Sequence, residues 1–250
     1  MKFSNNYEKI FTETYKEFLT KPKISEYLKK GRKYVLVFPQ IGTLFQRGKG
    51  ILVVGRAPNN WHVQFNKINF EGKANESILY SRDNETYSNL KWVYNNYNGI
   101  VKEEYNLKKS KFWRSLDKIV HRSILNVEEP DPNWMSHIAW SNLYKIAPAV
   151  KNSGNPNEQE VIAQFEGSVK MFKMEIEELQ PKIILMMTDY STWGKWVLNE
   201  LENVKLEKGT KYVEKRGYYK SSKIIVTGRP DSRKKGSSYK KLCDEVISFI

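Results

Sequence analysis

Residues 51–61, ILVVGRAPNNW, constrain the fold more than any other stretch: an apolar run of strand type, without polar alternation, breaks into a turn of Gly, Pro and Asn. A strand without alternation is buried on both faces, the habit of a parallel sheet, and the turn after it lies at the carboxyl edge, where α/β proteins bind ligands. Plain turn chemistry accounts for a Gly and a Pro at such a place equally well. A second strand-like run, KIIVT at 223–227, ends in the turn GRPDSR at 228–233, and the two turns together mark a candidate cleft.

The rest of the chain supplies the strands and helices that such a sheet needs. Apolar spacing from Tyr7 to Leu19 predicts a helix that Pro22 interrupts, and KYVLVF at 33–38 reads as a strand. Ser110 predicts an N-cap for a helix over 111–124, with Phe112, Leu116, Ile119 and Val120 on one face. HIAWSNLYKIAP at 137–148 reads as a central strand running into a loop, 154–180 as a long amphipathic helix opening near Pro156, and PKIILMM at 181–187 as a buried strand. A helix over 193–201, a hairpin or loop up to Lys220 and a closing helix over 237–250 complete the order. Strands alternating with helices predict an α/β protein, a three-layer α/β/α sandwich around a mostly parallel sheet of about four or five strands. Residues 1–50 read as a helical and extended lead packed on a main domain of residues 51–250.

Charge adds a partner to this frame. The chain carries 42 Lys and Arg against 28 Asp and Glu, a net +14, and the segment 209–241 alone holds 11 basic residues against Glu214 and Asp231. Such clustering around the second turn suits a polyanion, although a solvated lysine-rich face has the same composition. No apolar run reaches the roughly 18 residues that span a bilayer, and MKFSNNYEKIF has no apolar signal core, so a cytoplasmic protein that stays off membranes is expected. Cys243 is the only cysteine, which excludes an internal disulfide and any zinc ribbon or iron–sulfur cluster held by four cysteines of this chain. His62, His121 and His137 show no metal-ligand spacing, and neither metal nor cofactor is expected.

The ordered series ILVVGRAP, WSNLYKIAP, NPNEQEV with MEIEELQPKIILMM, and IIVTGRPDS resembles the uracil-DNA glycosylase superfamily over residues 51–250. The resemblance implies DNA, single- or double-stranded, as the partner of a monomer, and a base extruded into a pocket for hydrolysis of its bond to the sugar. It places Gly55, Arg56, Ala57, Pro58 and Asn59 in the first motif, with Ala57 and Arg56 where members carry a water-positioning acid or amide. Asn59 is the candidate to hold the water instead, and Trp61, Phe65 and Phe70 near the first turn could stack on a base, with core or surface packing the favoured reading for any single one. Asn142 matches the amide that reads the base edge, since it can donate and accept at once; tying down a loop is its other reading. Arg229, Pro230 and Asp231 stand where a His-Pro-Ser turn is expected, with Arg229 a cation for the departing base and Asp231 a second candidate for water activation. Arg233, Lys234, Lys235 and Ser237 fall in the loop that meets DNA. Two other readings of the cleft stand beside this one: a binding module that kept the fold and lost the chemistry, and a site for a nucleotide or small anion.

Overall fold

A computed structural model of the protein describes residues 1–58, 63–81, 90–100, 106–125, 131–150, 154–230 and 238–250. In chain order these residues form helices α1 (Asn5–Phe18) and α2 (Pro22–Lys29), strands β1 (Tyr34–Leu36), β2 (Gln40–Ile41), β3 (Ile51–Gly55) and β4 (Gln64–Phe65), and helices α3 (Phe70–Ser81), α4 (Lys91–Tyr97) and α5 (Lys111–Val120). Strands β5 (Ile138–Asn142) and β6 (Ile146–Pro148), helix α6 (Glu158–Leu179), strand β7 (Ile183–Met186) and helix α7 (Lys195–Asn199) follow. The chain closes with β8 (Lys205–Lys208), β9 (Val213–Tyr219), β10 (Ser222–Thr227) and α8 (Tyr239–Phe249).

The protein is mixed α/β, and among the described residues its main sheet has seven strands in the order β2-β5-β3-β7-β10-β9-β8. Pairings β3–β5, β3–β7 and β7–β10 are parallel, while β2, β8 and β9 join antiparallel. The expected count of about four or five strands is too low: four parallel strands form the centre, and three antiparallel strands extend it. Strand β2 is too short to read from sequence and owes its extension to β5, while β8 and β9 realise the hairpin alternative of the polar segment before Lys220, β9 pairing with β10 and β8 with β9. KYVLVF does form a strand, but in a second sheet of order β4-β1-β6.

Burial explains why the central strands read as unbroken apolar runs. Along β3, Leu52 and Val54 enter one apolar cluster with residues of α1, α3, α6 and α7, whereas Ile51 and Val53 enter another with residues of α4, α5 and α8. Both faces are covered by helices, so neither needs polar alternation. Residues of the first 50 are built into the same cluster: Tyr7, Phe11, Tyr15 and Phe18 of α1 are all buried there. Helix α6 starts where Asn157 and Glu160 form a reciprocal capping box, which satisfies two of the backbone donors orphaned at a helix start. Ser110 caps α5 as its sequence predicts, accepting a bond from the Trp113 amide.

Topology fixes where a ligand would sit. From β3 the chain crosses to β5 on one side and then from β5 to β7 on the other, so the connections diverge at β3 and β7. In open α/β sheets the crevice forms at the carboxyl ends of strands where that divergence occurs.

Candidate functional site

Gly55 ends β3 directly beside Asn142 at the end of β5. A Cβ on Gly55 would lie 2.6 Å from Asn142 Oδ1, so the glycine is what lets the Asn142 side chain lie across the strand end. Asn142 is 2% exposed, and its Nδ2 has no hydrogen-bond partner among the described residues. On the other side of β3, the hydroxyl of Thr188 is likewise buried and without a partner. A buried polar group left unpaired costs about 1–3 kcal/mol. Asn142 ends β5 and Thr188 stands two residues past β7, so these two atoms lie on either side of β3; Tyr15, Trp134 and Ser168 carry further buried atoms elsewhere that are unpaired among the described residues.

The backbone around Asn142 is held from below by a buried ionic network. Lys145 Nζ donates to Ser141 Oγ at 2.7 Å and to the Asn142 carbonyl, and pairs with Glu175 Oε1 at 2.7 Å. Tyr7 of α1 donates to that same carboxylate oxygen at 2.9 Å. Lys145 and Glu175 are both fully buried. Desolvation pushes the Lys145 pKa below the ordinary lysine value, and Glu175 opposes it.

Above β3 the edge is charged. Arg56 ion-pairs with Asp189, just past β7, and its Nε donates to the Thr188 carbonyl at 3.0 Å. Its guanidinium also stands 5.8 Å from the centre of the Trp193 ring. Burial lowers the Arg56 pKa from the arginine value, the charge of Arg229 adds to that, and Glu214 opposes it. Two arginines thus repel one another across an edge that also carries Asp189 and Glu214. A Cβ on Gly228 would lie 3.1 Å from Asp189 Oδ1 and 3.5 Å from Glu214 Oε1, which puts both carboxylates at the second turn.

Asp189 adopts φ 65 and ψ 128, outside the well-populated regions for a residue with a side chain. Such a conformation costs of the order of 1–3 kcal/mol and persists only where its surroundings impose it. Here its amide donates to the Thr227 carbonyl at 3.0 Å, and its own carbonyl accepts from the Gly194 amide at 3.0 Å. Glu214 adds a bond to the next residue, accepting from the Tyr190 amide at 2.5 Å.

The described part of the predicted site therefore falls at one sheet edge. Gly55 and Asn142 touch there, and Arg56 feels Arg229 electrostatically. Ala57 is half-buried against the cluster on the α6 face, and Pro58 is buried. Asn59, Trp61, Asp231, Arg233, Lys234, Lys235 and Ser237 lie outside the described residues. Phe65 and Phe70 follow the core-packing reading: both are buried, stacked or edge-on in a chain from Tyr34 to Phe65 to Phe70, and are not platforms for a base.

Thr188, Asp189, Glu214 and Lys145 belong to the edge or its support and were missed by sequence reasoning. Only Asp189 left a signal, as the first carboxylate after the apolar run IILMM. Among the described residues no group of three or more His, Cys, Asp and Glu could hold a metal ion, and no helix is long and apolar enough to cross a membrane. A groove of about 860 Å³ between α1, α2 and α6 is lined by Phe18, Tyr144, Ile162, Phe165 and Trp196, and none of the predicted site residues lines it. No family model matches the chain, and no curated protein matches it.

Proposed function

We propose that this chain is a DNA-binding protein of the uracil-DNA glycosylase type that takes an extruded base into the edge formed by β3, β5 and β7 and hydrolyses its N-glycosidic bond. One observation carries the reading: a buried Asn142 amide whose Nδ2 lacks a partner, held over Gly55. Oδ1 and Nδ2 together offer an acceptor and a donor, the complement of a pyrimidine edge such as that of uracil or another altered base. The three-layer α/β/α sandwich belongs to this proposal and is supported by the two apolar clusters, which draw on different helices.

In the proposed reaction water adds to the sugar carbon, the bond to the base breaks with its electron pair leaving on the base, and the base takes up a proton. Arg229 supplies positive charge for the departing anion, and Arg56 supplies it for a flanking phosphate. Asn59 and Asp231 are the groups assigned to the water. Asp189 is a further carboxylate at the edge, and it is already engaged in an ion pair with Arg56. A cytoplasmic location, a monomer, and chemistry without metal or cofactor go with this reading.

A second reading, a nucleic-acid- or nucleotide-binding module without chemistry, is favoured by a specific pair of observations. Ala57 stands where a water-positioning group belongs, and the charge of Asp189 is already taken by Arg56. Incubation of purified protein with uracil-containing single- and double-stranded DNA separates the two. Release of free base that Asn142→Ala and Asp231→Ala abolish supports the enzyme. Salt-dependent binding with no base released across a panel of altered bases supports the module, and absence of DNA binding even at low salt leaves a small anionic ligand.

A further inference from the structure

The ribbon of β8 and β9 has two unlike faces. Successive strand residues alternate between them, and the register sets Glu207 opposite Arg216 and Lys208 opposite Lys215. On one face the charges cancel: Arg216 Nε pairs with Glu207 Oε1 at 2.7 Å, with its guanidinium 4.2 Å from the centre of the Phe249 ring. On the other, two lysines stand directly opposed, and neither forms an ion pair among the described residues. Like charges in directly opposed cross-strand positions destabilise a sheet. The Lys215 ammonium instead lies 5.2 Å from the centre of the Tyr190 ring, next to Asp189.

That uncompensated pair is at the same sheet edge as the candidate site. β9 runs antiparallel to β10, with Lys215 opposite Val226 and Val213 opposite Thr227, so its first residues flank the turn that carries Arg229. Along the edge the strand order β3-β7-β10-β9-β8 carries Arg56 paired with Asp189, then Arg229, then Glu214 and Lys215, then Lys208, so four cations outnumber two carboxylates. Four strand spacings at about 4.8 Å each put this row of cations over roughly 19 Å. A single phosphate spans far less, whereas a nucleic-acid strand presents one charge per about 3.4 Å of its length.

We infer that the Lys208–Lys215 face of the ribbon is a docking surface for the DNA backbone, holding the phosphates that flank the base at the Asn142 edge. The inference rests on the base-binding reading and extends it from a pocket to a track. The cost of opposing two lysines in the free protein is removed when a phosphodiester lies across them. DNA is favoured over an anionic membrane because the row is one strand wide and continuous with the candidate base site.

The test compares the salt dependence of DNA binding, by fluorescence anisotropy between about 50 and 200 mM salt, in the parent protein and two variants of equal charge change. Lys208→Gln with Lys215→Gln removes the ribbon pair. Lys49→Gln with Lys182→Gln removes two exposed lysines at the opposite, amino-terminal edge of the same sheet. The ribbon variant is expected to lower the slope of log K against log salt by about 1.4 for single strands or about 1.8 for duplex, with the control slope unchanged. A ribbon variant that keeps the parent slope, or a control that loses as much, overturns the docking surface while leaving the base site standing. Failure of the parent protein to bind DNA overturns both, as does binding only to anionic lipid vesicles.

Discussion

Two ion pairs bracket Asn142, and they are made for different ends. Below the strand end, Lys145 and Glu175 are sealed from water and bonded to Ser141, the Asn142 carbonyl and Tyr7. At the neighbouring strand end, Arg56 is partly open at 20% side-chain exposure while its partner Asp189 is buried, with Arg229 and Glu214 close by. A sealed pair cannot exchange partners without leaving a bare charge in an apolar interior, so it fixes the backbone. The Arg56 pair keeps one side toward solvent and faces a second arginine, which is where the proposed phosphate would find its cation. The difference teaches that the backbone carrying Asn142 is fixed by a sealed pair, whereas the end of β3 carries a pair with a solvent-facing arginine.

The largest way to break the comparison is Glu175→Leu, which strands the Lys145 charge and should cost about 3–5 kcal/mol in denaturant unfolding. Lys145→Met combined with Glu175→Leu should cost about 2 kcal/mol or less, because no lone charge then remains. Equal costs for the single and double variants would mean that the pair is not what holds the strand end. Gly55→Ala comes next: its methyl group must displace the Asn142 amide, an overpacking penalty of about 1–3 kcal/mol, together with weaker DNA binding. An unchanged melting temperature and unchanged affinity would show that the amide does not lie over Gly55.

Asn142→Ala sharpens the comparison through its small effect on stability. It removes a buried amide that is unpaired at Nδ2, so stability should move by no more than about 1 kcal/mol, while base release falls by about 100-fold or more. A large loss of stability with little change in release would turn Asn142 into a structural tie.

How much of this was legible in the sequence follows from where each residue finds its partners. ILVVG, IAWSN, IILM and KIIVT announce strands because burial on both faces removes the apolar–polar alternation and confines polar residues to the strand ends, and the order of these runs implies the parallel centre. Strand β8, whose sequence is KLEK, has no such mark; it is extended because β9 pairs with it. Gly55, Arg56, Asn142 and Arg229 were legible as turn or strand-end residues. Lys145 was not, since a lysine in SNLYKIAP reads as a loop cation until Glu175, 30 residues on, closes over it. Asp189 and Glu214 likewise acquire meaning only when β7 and β9 are brought to the same edge as Arg56.

The most direct measurement follows the Asn142 side-chain amide itself, in nitrogen-15-labelled protein titrated with uracil-containing single-stranded DNA, with the resonance assigned by its absence in Asn142→Asp. A base seated at the edge predicts that this NH₂ pair shifts and saturates with DNA binding; DNA that binds to saturation while the pair stays unmoved would contradict it.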